Sequence, residues 1–136
     1  MNPTELVRLA KTAMQRAYVP YSGYKVGAAL LTKGGKVYLG CNIENAAFGP
    51  SNCAERTAFF TAIAAGETEF ESIAVVGGKD GVVTDIFPPC GVCRQVMQEF
   101  CGPDFEIHMQ KAGGGVFTVK LPELLPFGFT KDSMEA

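Results

Sequence analysis

The spacing of apolar side chains changes several times along the chain, and each change marks a predicted element. In residues 3–17, apolar side chains recur at spacings of three and four, as in an amphipathic helix, and Pro3 suits its first turn. Residues 24–32 are typical of a strand, residues 33–36 of a glycine-containing turn, and residues 37–42 of a returning strand. The chain is therefore predicted to open with a helix and a β-hairpin.

The middle of the chain is predicted to alternate helices with a strand. Residues 53–65 are rich in alanine and indicate a helix, with Ser51 or Asn52 placed to cap its start. Residues 72–77 are short and uniformly apolar, as buried strands are, and the glycine-rich GGKDG that follows indicates a loop. Residues 91–100 return to helical spacing.

The last part of the chain is predicted to add a second hairpin, over residues 105–110 and 116–120, and a short helix opened by Pro122. The resulting order of elements places one central sheet between helices, which predicts a three-layer α/β/α fold with a five-stranded sheet. Residues 1–136 are expected to form a single domain, because a second core would not fit in this length.

Composition and charge indicate which kinds of molecule the protein is expected to bind. The chain is 47% apolar, and its 12 basic and 14 acidic residues leave a net charge of -2 without a run of like charge. This provides little of the electric field with which proteins hold a nucleic-acid backbone. No stretch approaches the ~20 apolar residues of a membrane span, and the opening residues lack a secretory signal. We expect a cytoplasmic protein that binds a small, roughly neutral molecule and neither nucleic acid nor membrane.

The chain has five cysteines and one histidine, so any bound metal is expected to be held mainly by sulfur. Without an export signal, cysteines are expected to be thiols or metal ligands, because the cytosol keeps thiols reduced. The single histidine, His108, excludes most sites built on several imidazoles, and a structural role is expected for it. Cys41 and Cys101 are interpreted as small apolar packing residues.

Two motifs place thiols at the amino ends of predicted helices: CAE at residues 53–55 and PCGVC at residues 89–93. Exposed amide hydrogens and the helix dipole stabilise the thiolate that a metal requires. Cys90 and Cys93 can chelate a metal from one helical turn, and Cys53 can supply a third sulfur. A fourth tetrahedral position is then left for water, which predicts a catalytic zinc site.

Glu55 lies two residues beyond Cys53, near enough to reach a water on that metal without being a ligand. Zinc lowers the pKa of bound water to about 7, so a carboxylate can take its proton and return it to a substrate. Three thiolates leave a formal charge of -1 on the site, which calls for compensation. Arg56, three residues after Cys53, and Arg94, directly after Cys93, are candidates to donate hydrogen bonds to sulfur.

Together with VGAAL at residues 26–30 and CNIENA at residues 41–46, these motifs resemble the small homotetrameric cytidine deaminases, over nearly the whole chain. They also match the known signature of zinc deaminases. The resemblance implies the cytidine deaminase-like fold with a mixed sheet. It also implies one Zn²⁺ per chain, a proton-shuttle role for Glu55 and a sulfur-neutralising role for Arg56; the zinc ligands it implies are Cys53, Cys90 and Cys93.

The same resemblance implies how a nucleoside would be bound. Asn42 and Glu44 fall where the family binds the ribose hydroxyls, and Ala54 lies among the substrate-binding residues. Tyr24 falls where an aromatic residue, usually phenylalanine, packs against the nucleoside. Phe129 falls near an aromatic residue that reaches a neighbouring subunit's site, with the adjacent Phe127 an alternative. A homotetramer with shared active sites is therefore expected.

The predicted function is hydrolytic deamination of cytidine, and also of deoxycytidine, to the uracil nucleoside and ammonia in pyrimidine salvage. In this hypothesis zinc-bound hydroxide attacks C4 of cytosine, while Glu55 carries the water's proton to N3 and then helps to protonate the departing amine.

Three alternatives are weighed against this function. The first is a blasticidin S-type antibiotic deaminase, against which Asn42, Glu44 and Arg56 argue. The second is a nucleic-acid deaminase, which the acidic balance disfavours. The third is a non-catalytic zinc-binding or thiol redox module, which would leave Glu55 without a role.

Overall fold

The computed structural model of the protein describes residues 1–135; Ala136, the last residue of the predicted domain, lies outside them. The described elements are, in chain order, α1 (Pro3–Met14), β1 (Tyr24–Thr32), β2 (Val37–Cys41), α2 (Ala54–Ala64), β3 (Phe70–Lys79), α3 (Gly91–Phe100), β4 (Glu106–Gln110), β5 (Val116–Lys120), α4 (Leu121–Leu124) and α5 (Lys131–Glu135). The short helix predicted around Pro122 is confirmed as α4, whereas α5 was not predicted.

The five strands form one mixed sheet in the order β2-β1-β3-β4-β5. Strands β3 and β4 pair in parallel, with Ser72 opposite Glu106, and the other neighbours pair antiparallel. A parallel pair needs a long crossover connection, and here the segment that contains α3 provides it. The predicted mixed five-stranded sheet is confirmed.

Both faces of the sheet are covered, because successive strand residues face opposite sides. One face packs against α1 and the other against α2 and α3. The first core contains Leu6, Val7, Ala10, Met14, Ala29, Leu31, Ala74 and Val76. The second contains, among others, Ala28, Leu30, Ala58, Phe59, Ile73, Val75, Met97 and Ile107. These two cores confirm the three-layer α/β/α architecture.

Helix α1 is shorter than predicted: it ends at Met14 instead of Ala17. The chain after Met14 makes tighter turns, in which backbone N–H groups bond to carbonyls three residues back. The N–H of Tyr18 then donates to the carbonyl of Asn42 at 3.0 Å. This contact with a distant segment ends the helix although the apolar spacing continues.

Strand β3 is longer than predicted: it ends at Lys79, so only Asp80 and Gly81 of GGKDG lie in the loop. Gly77 and Gly78 belong to the strand and pair with β1. A Cβ atom at Gly77 would lie 2.8 Å from the ring of Phe87, and one at Gly78 would overlap the carbonyl of Val82. These glycines therefore allow the segment after β3 to pack closely over the strand, and they do not form the turn.

Helix α2 lies close to β2 because position 40 has no side chain. A Cβ atom at Gly40 would overlap the carbonyl oxygen of Ala54 and lie 2.5 Å from the backbone nitrogen of Ala58. Both of those groups are backbone atoms of the first turns of α2, so they cannot move aside separately. Gly40 thus sets the distance between the sheet and the start of α2.

Gly40→Ala is expected to lower the free energy of unfolding by about 1–3 kcal/mol, the usual cost of an overpacked core. Gly34→Ala is the matched control, since its Cβ would meet only the Thr32 hydroxyl at 3.8 Å, an ordinary contact. Its effect should stay within about 0.5 kcal/mol. Urea denaturation measures both values, and equal stability of the two variants would contradict the close approach of α2 to β2.

Candidate active site

Two of the motif cysteines occupy the N-cap positions of the two helices behind the sheet. Cys53 precedes α2 with φ -79° and ψ 156°, and Cys90 precedes α3 with φ -67° and ψ 167°. Neither side chain caps its own helix. The prediction that Ser51 or Asn52 caps α2 is wrong, because the N-cap is Cys53; the amide of Asn52 instead donates to the Thr57 hydroxyl at 3.1 Å.

The sulfur atoms of three cysteines form a compact cluster. The Sγ of Cys90 lies 3.6 Å from that of Cys53 and 3.4 Å from that of Cys93, and all three lie within 4.8 Å of one another. A disulfide would require about 2.0 Å. Tetrahedral Zn–S bonds of about 2.3 Å place sulfur atoms roughly 3.8 Å apart, so the cluster fits a zinc ion with one further position open.

Glu55 is buried in the first turn of α2, with 3% of its surface exposed. Burial raises the pKa of its carboxyl to about 7, and the neighbouring Cys53 thiolate adds to the rise. A carboxyl group of this kind can exchange a proton near neutral pH, which is the property required of a general acid and base.

Charge at the cluster is balanced by Arg56. Its Nη2 donates a hydrogen bond to the Sγ of Cys53 at 3.2 Å. Hydrogen bonds from the Cys93 thiol and from Arg56 lower the pKa of Cys53 to about 5. The Nε of Arg56 is buried and has no hydrogen-bond partner among the described residues. Arg56 therefore occupies the position next to sulfur that the sequence predicts.

Arg94 does not occupy such a position, and its predicted contact with sulfur is wrong. Its Nε donates to the carbonyl of Pro89 at 2.8 Å, and its Nη1 donates to the carbonyl of Leu124 at 2.7 Å. These bonds tie the loop before Cys90 to α4. The prediction relied on Arg94 following Cys93 directly, but successive residues on a helix point in different directions.

Cys53 and Cys90 of the cluster line a cavity of about 420 Å³. Its walls include four groups singled out from the sequence as candidates for substrate binding or catalysis: Asn42, Glu44, Ala54 and Glu55. A volume of this size is typical of a small-molecule site. The structure thus brings together the metal cluster, the buried carboxyl and the proposed sugar-binding side chains.

Two predicted substrate residues lie outside this cavity. Tyr24 lines an adjoining cavity of about 270 Å³, which shares Phe87 with the first. Phe129 is 59% exposed, and its carbonyl accepts a hydrogen bond from the Gln95 amide of α3 at 2.9 Å. Neighbouring Phe127 is fully exposed. Within one chain, neither aromatic residue of the C-terminal segment reaches the cavity.

Sequence reasoning missed the apolar wall of the cavity, which Phe48, Phe87 and Pro88 provide. Phe48 lies in the irregular segment before α2 and is 91% exposed. The position of Phe87 and Pro88 directly before the metal motif was one available signal. The other was Gly77, which leaves room for the Phe87 ring.

The fold and this site define a zinc-binding α/β/α protein with a buried carboxyl group beside an open metal position. Residues 1–109 match the family model of the cytidine and deoxycytidylate deaminase zinc-binding region. The chain therefore belongs to the cytidine and deoxycytidylate deaminase family. None of the helices in residues 1–135 has the length and apolar character needed to cross a membrane.

Individual relatives resemble the chain over almost their whole length. A cytidine deaminase of Halalkalibacterium halodurans is 46% identical over 98% of both chains, and one of Sporosarcina psychrophila is 43% identical over 98% of this chain and 96% of its own. The crystal structure of a cytidine deaminase from Burkholderia pseudomallei superimposes with a TM-score of 0.86 at 48% identity, over 95% of this chain and 100% of its own.

Cys53→Ser, Cys90→Ser and Cys93→Ser are each expected to lose bound zinc, because each removes one of three ligands. Cys41→Ser and Cys101→Ser serve as matched controls and should retain one zinc per chain, since both residues lie outside the cluster. Elemental analysis of the purified variants measures the metal. Full zinc in Cys53→Ser, or a loss confined to a control variant, would contradict the ligand set.

Proposed function

We propose that this chain catalyses the hydrolytic deamination of cytidine, and of deoxycytidine, to the corresponding uracil nucleoside and ammonia, a reaction of pyrimidine salvage. One observation carries the proposal: buried Glu55 lies beside the three-sulfur cluster in a cavity of nucleoside size. The relatives described above bear the name cytidine deaminase and match over almost the whole chain.

One Zn²⁺ per chain would be held by Cys53, Cys90 and Cys93. When bound, the ion supplies Lewis-acid activation of water at neutral pH. Arg56, through its bond to the Cys53 sulfur, offsets part of the negative charge that three thiolates bring to the site.

Glu55 moves protons in this proposal. It accepts a proton from the attacking water and delivers it to N3 of the cytosine ring, while oxygen bonds to C4. It then takes the second water proton from the new oxygen on C4 and passes it to the 4-amino group, so that the C4–N bond breaks, ammonia leaves and the C4 carbonyl forms. Water is consumed and ammonia is released, so atoms balance without any further reactant. The buried position of Glu55 keeps it in reach of both reacting groups.

Asn42 and Glu44 are assigned to the sugar hydroxyls, with Ala54 at the base and Tyr24 against the nucleoside. The charges around the cavity favour a nucleoside over a nucleotide. Among the described lining residues, the charged side chains are the Glu44 and Glu55 carboxyl groups, the Cys53 thiolate and Arg56, whose guanidinium is bonded to that sulfur. A phosphate group would therefore meet carboxylates with no free cation to pair with.

The alternatives account for less of the site. A redox or structural use of the cysteines gives no reason to bury Glu55, although burying a carboxyl group costs free energy. A blasticidin S-type deaminase would share the metal motifs. The 43% and 46% identical relatives, however, are named cytidine deaminases.

We further propose that residues 1–136 act as one domain within a homotetramer, and that a C-terminal aromatic residue completes a neighbour's cavity. In the single chain Phe127 is fully exposed, Phe129 is 59% exposed and Phe48 is 91% exposed, so these large apolar side chains are available to an interface between subunits. A cytoplasmic location suits the protein, since none of the chain's five cysteines forms a disulfide.

Purified zinc-loaded protein is expected to convert cytidine to uridine, measured by loss of cytidine absorbance and by released ammonia. Glu55→Gln, the matched control, should retain zinc and fold yet turn over at least ~10²-fold more slowly, because general acid-base catalysis typically contributes 10² to 10⁴. Near-normal turnover by zinc-loaded Glu55→Gln would rule out the proton-shuttle role. An inactive wild-type protein with full zinc would rule out the function.

Sharing of active sites is testable by mixing inactive chains. Phe129→Ala is expected to impair activity while zinc is retained, and Glu55→Gln chains that carry Phe129 should restore activity when subunits exchange. Phe127→Ala in the same assay decides between the two aromatic residues. Sedimentation at micromolar concentration should report a tetramer. A fully active monomer, or exchanged oligomers that regain nothing from either pairing, would count against the shared site.

A further inference from the structure

The loop between α1 and β1 is bonded to the segment that carries the proposed sugar-binding residues. The N–H of Tyr18 donates to the carbonyl of Asn42 at 3.0 Å, and the N–H of Glu44 donates to the carbonyl of Tyr18 at 2.9 Å. The Asn42 side chain adds two bonds to β1: its Oδ1 accepts from the N–H of Val26 at 2.9 Å, and its Nδ2 donates to the carbonyl of Tyr24 at 2.8 Å.

The carboxylate of Glu44 is held almost entirely by this loop. Its Oε1 accepts from the N–H groups of Tyr21 and Ser22 at 3.0 and 3.1 Å, and its Oε2 accepts from the Ser22 hydroxyl. A carboxylate offers about four acceptor positions, so about one remains, on Oε2, for a ligand hydroxyl. The bond from the Ser22 hydroxyl is also the main reason that the pKa of Glu44 lies below its ordinary value.

The Ser22 hydroxyl also makes a second bond. It accepts from the N–H of Tyr24 at 3.1 Å, while it donates to Glu44. A hydroxyl has one donor and two acceptor positions, so both bonds form together. One exposed side chain therefore joins the Glu44 carboxylate to the backbone of Tyr24, the first residue of β1.

We infer that Ser22 is a positioning residue for the sugar half of the site: it holds the Glu44 carboxylate in the orientation that accepts a ribose hydroxyl. The inference rests on the proposed function and on the assignment of Glu44 within it. Ser22 acts through Glu44 and lies outside the walls of the cavity. Its loss therefore affects substrate binding more than the chemical step, which belongs to Glu55.

The test compares Ser22→Ala with Ser22→Thr, which keeps the hydroxyl at an exposed position with room for a methyl group. Each variant is assayed on cytidine and on 2′,3′-dideoxycytidine, which lacks the hydroxyls that Glu44 would hold, and Glu44→Gln serves as a reference. For Ser22→Ala, KM for cytidine should rise about tenfold, the loss of one bond to a charged group, with kcat within about twofold. KM for dideoxycytidine should change little, and Ser22→Thr should restore the cytidine value.

A general loosening of the loop would instead change KM for both substrates equally, or lower kcat, and either result would overturn the inference. Zinc content and thermal unfolding of each variant identify any global loss of structure. If the wild-type enzyme is active and Ser22→Ala has the same KM for cytidine, the role of Ser22 is overturned and the proposed function is not. No activity of the wild-type enzyme on any nucleoside would overturn the proposed function itself, and the positioning role with it.

Discussion

Three sulfur atoms from two helices meet within 4.8 Å, although Cys53 and Cys90 are 37 positions apart in the chain. This convergence depends on how closely α2 and α3 pack on one face of the sheet. Gly40 brings the first turn of α2 against β2, and α3 crosses over between the parallel strands β3 and β4. Tetrahedral Zn–S bonds of about 2.3 Å hold sulfur atoms roughly 3.8 Å apart, so the metal site requires both helix ends to stay at this separation.

The same packing determines the electrostatics of the site. Two helix N-termini stabilise negative charge on the sulfur atoms, and the Arg56 guanidinium adds a direct hydrogen bond. Glu55 is buried beside this charge, so its carboxyl group retains a proton more readily than an exposed one. Burying Glu55 costs folding stability, but the same burial gives its carboxyl group a pKa near neutral, so that its protonation can change there.

The side chains proposed to bind the sugar are positioned by hydrogen bonds. Glu44 makes three bonds to the loop before β1, and the Asn42 amide makes two bonds to the first residues of that strand. The side chains proposed to contact the sugar therefore also hold the local backbone in place. Because these groups are already ordered, substrate binding costs less conformational entropy.

By itself, the sequence determined the order of elements from α1 to α4, the two cysteine motifs and the glutamate two residues after Cys53, because these depend on local spacing along one chain segment. Tertiary structure alone decided where α1 ends, that Gly77 and Gly78 lie in a strand, and that Arg94 bonds to carbonyls of Pro89 and Leu124 instead of sulfur. The contacts of Glu44 with Ser22 and the Phe87 wall of the cavity were decided in the same way. In each case the deciding partner is distant in sequence, and local spacing carries no information about which distant groups meet.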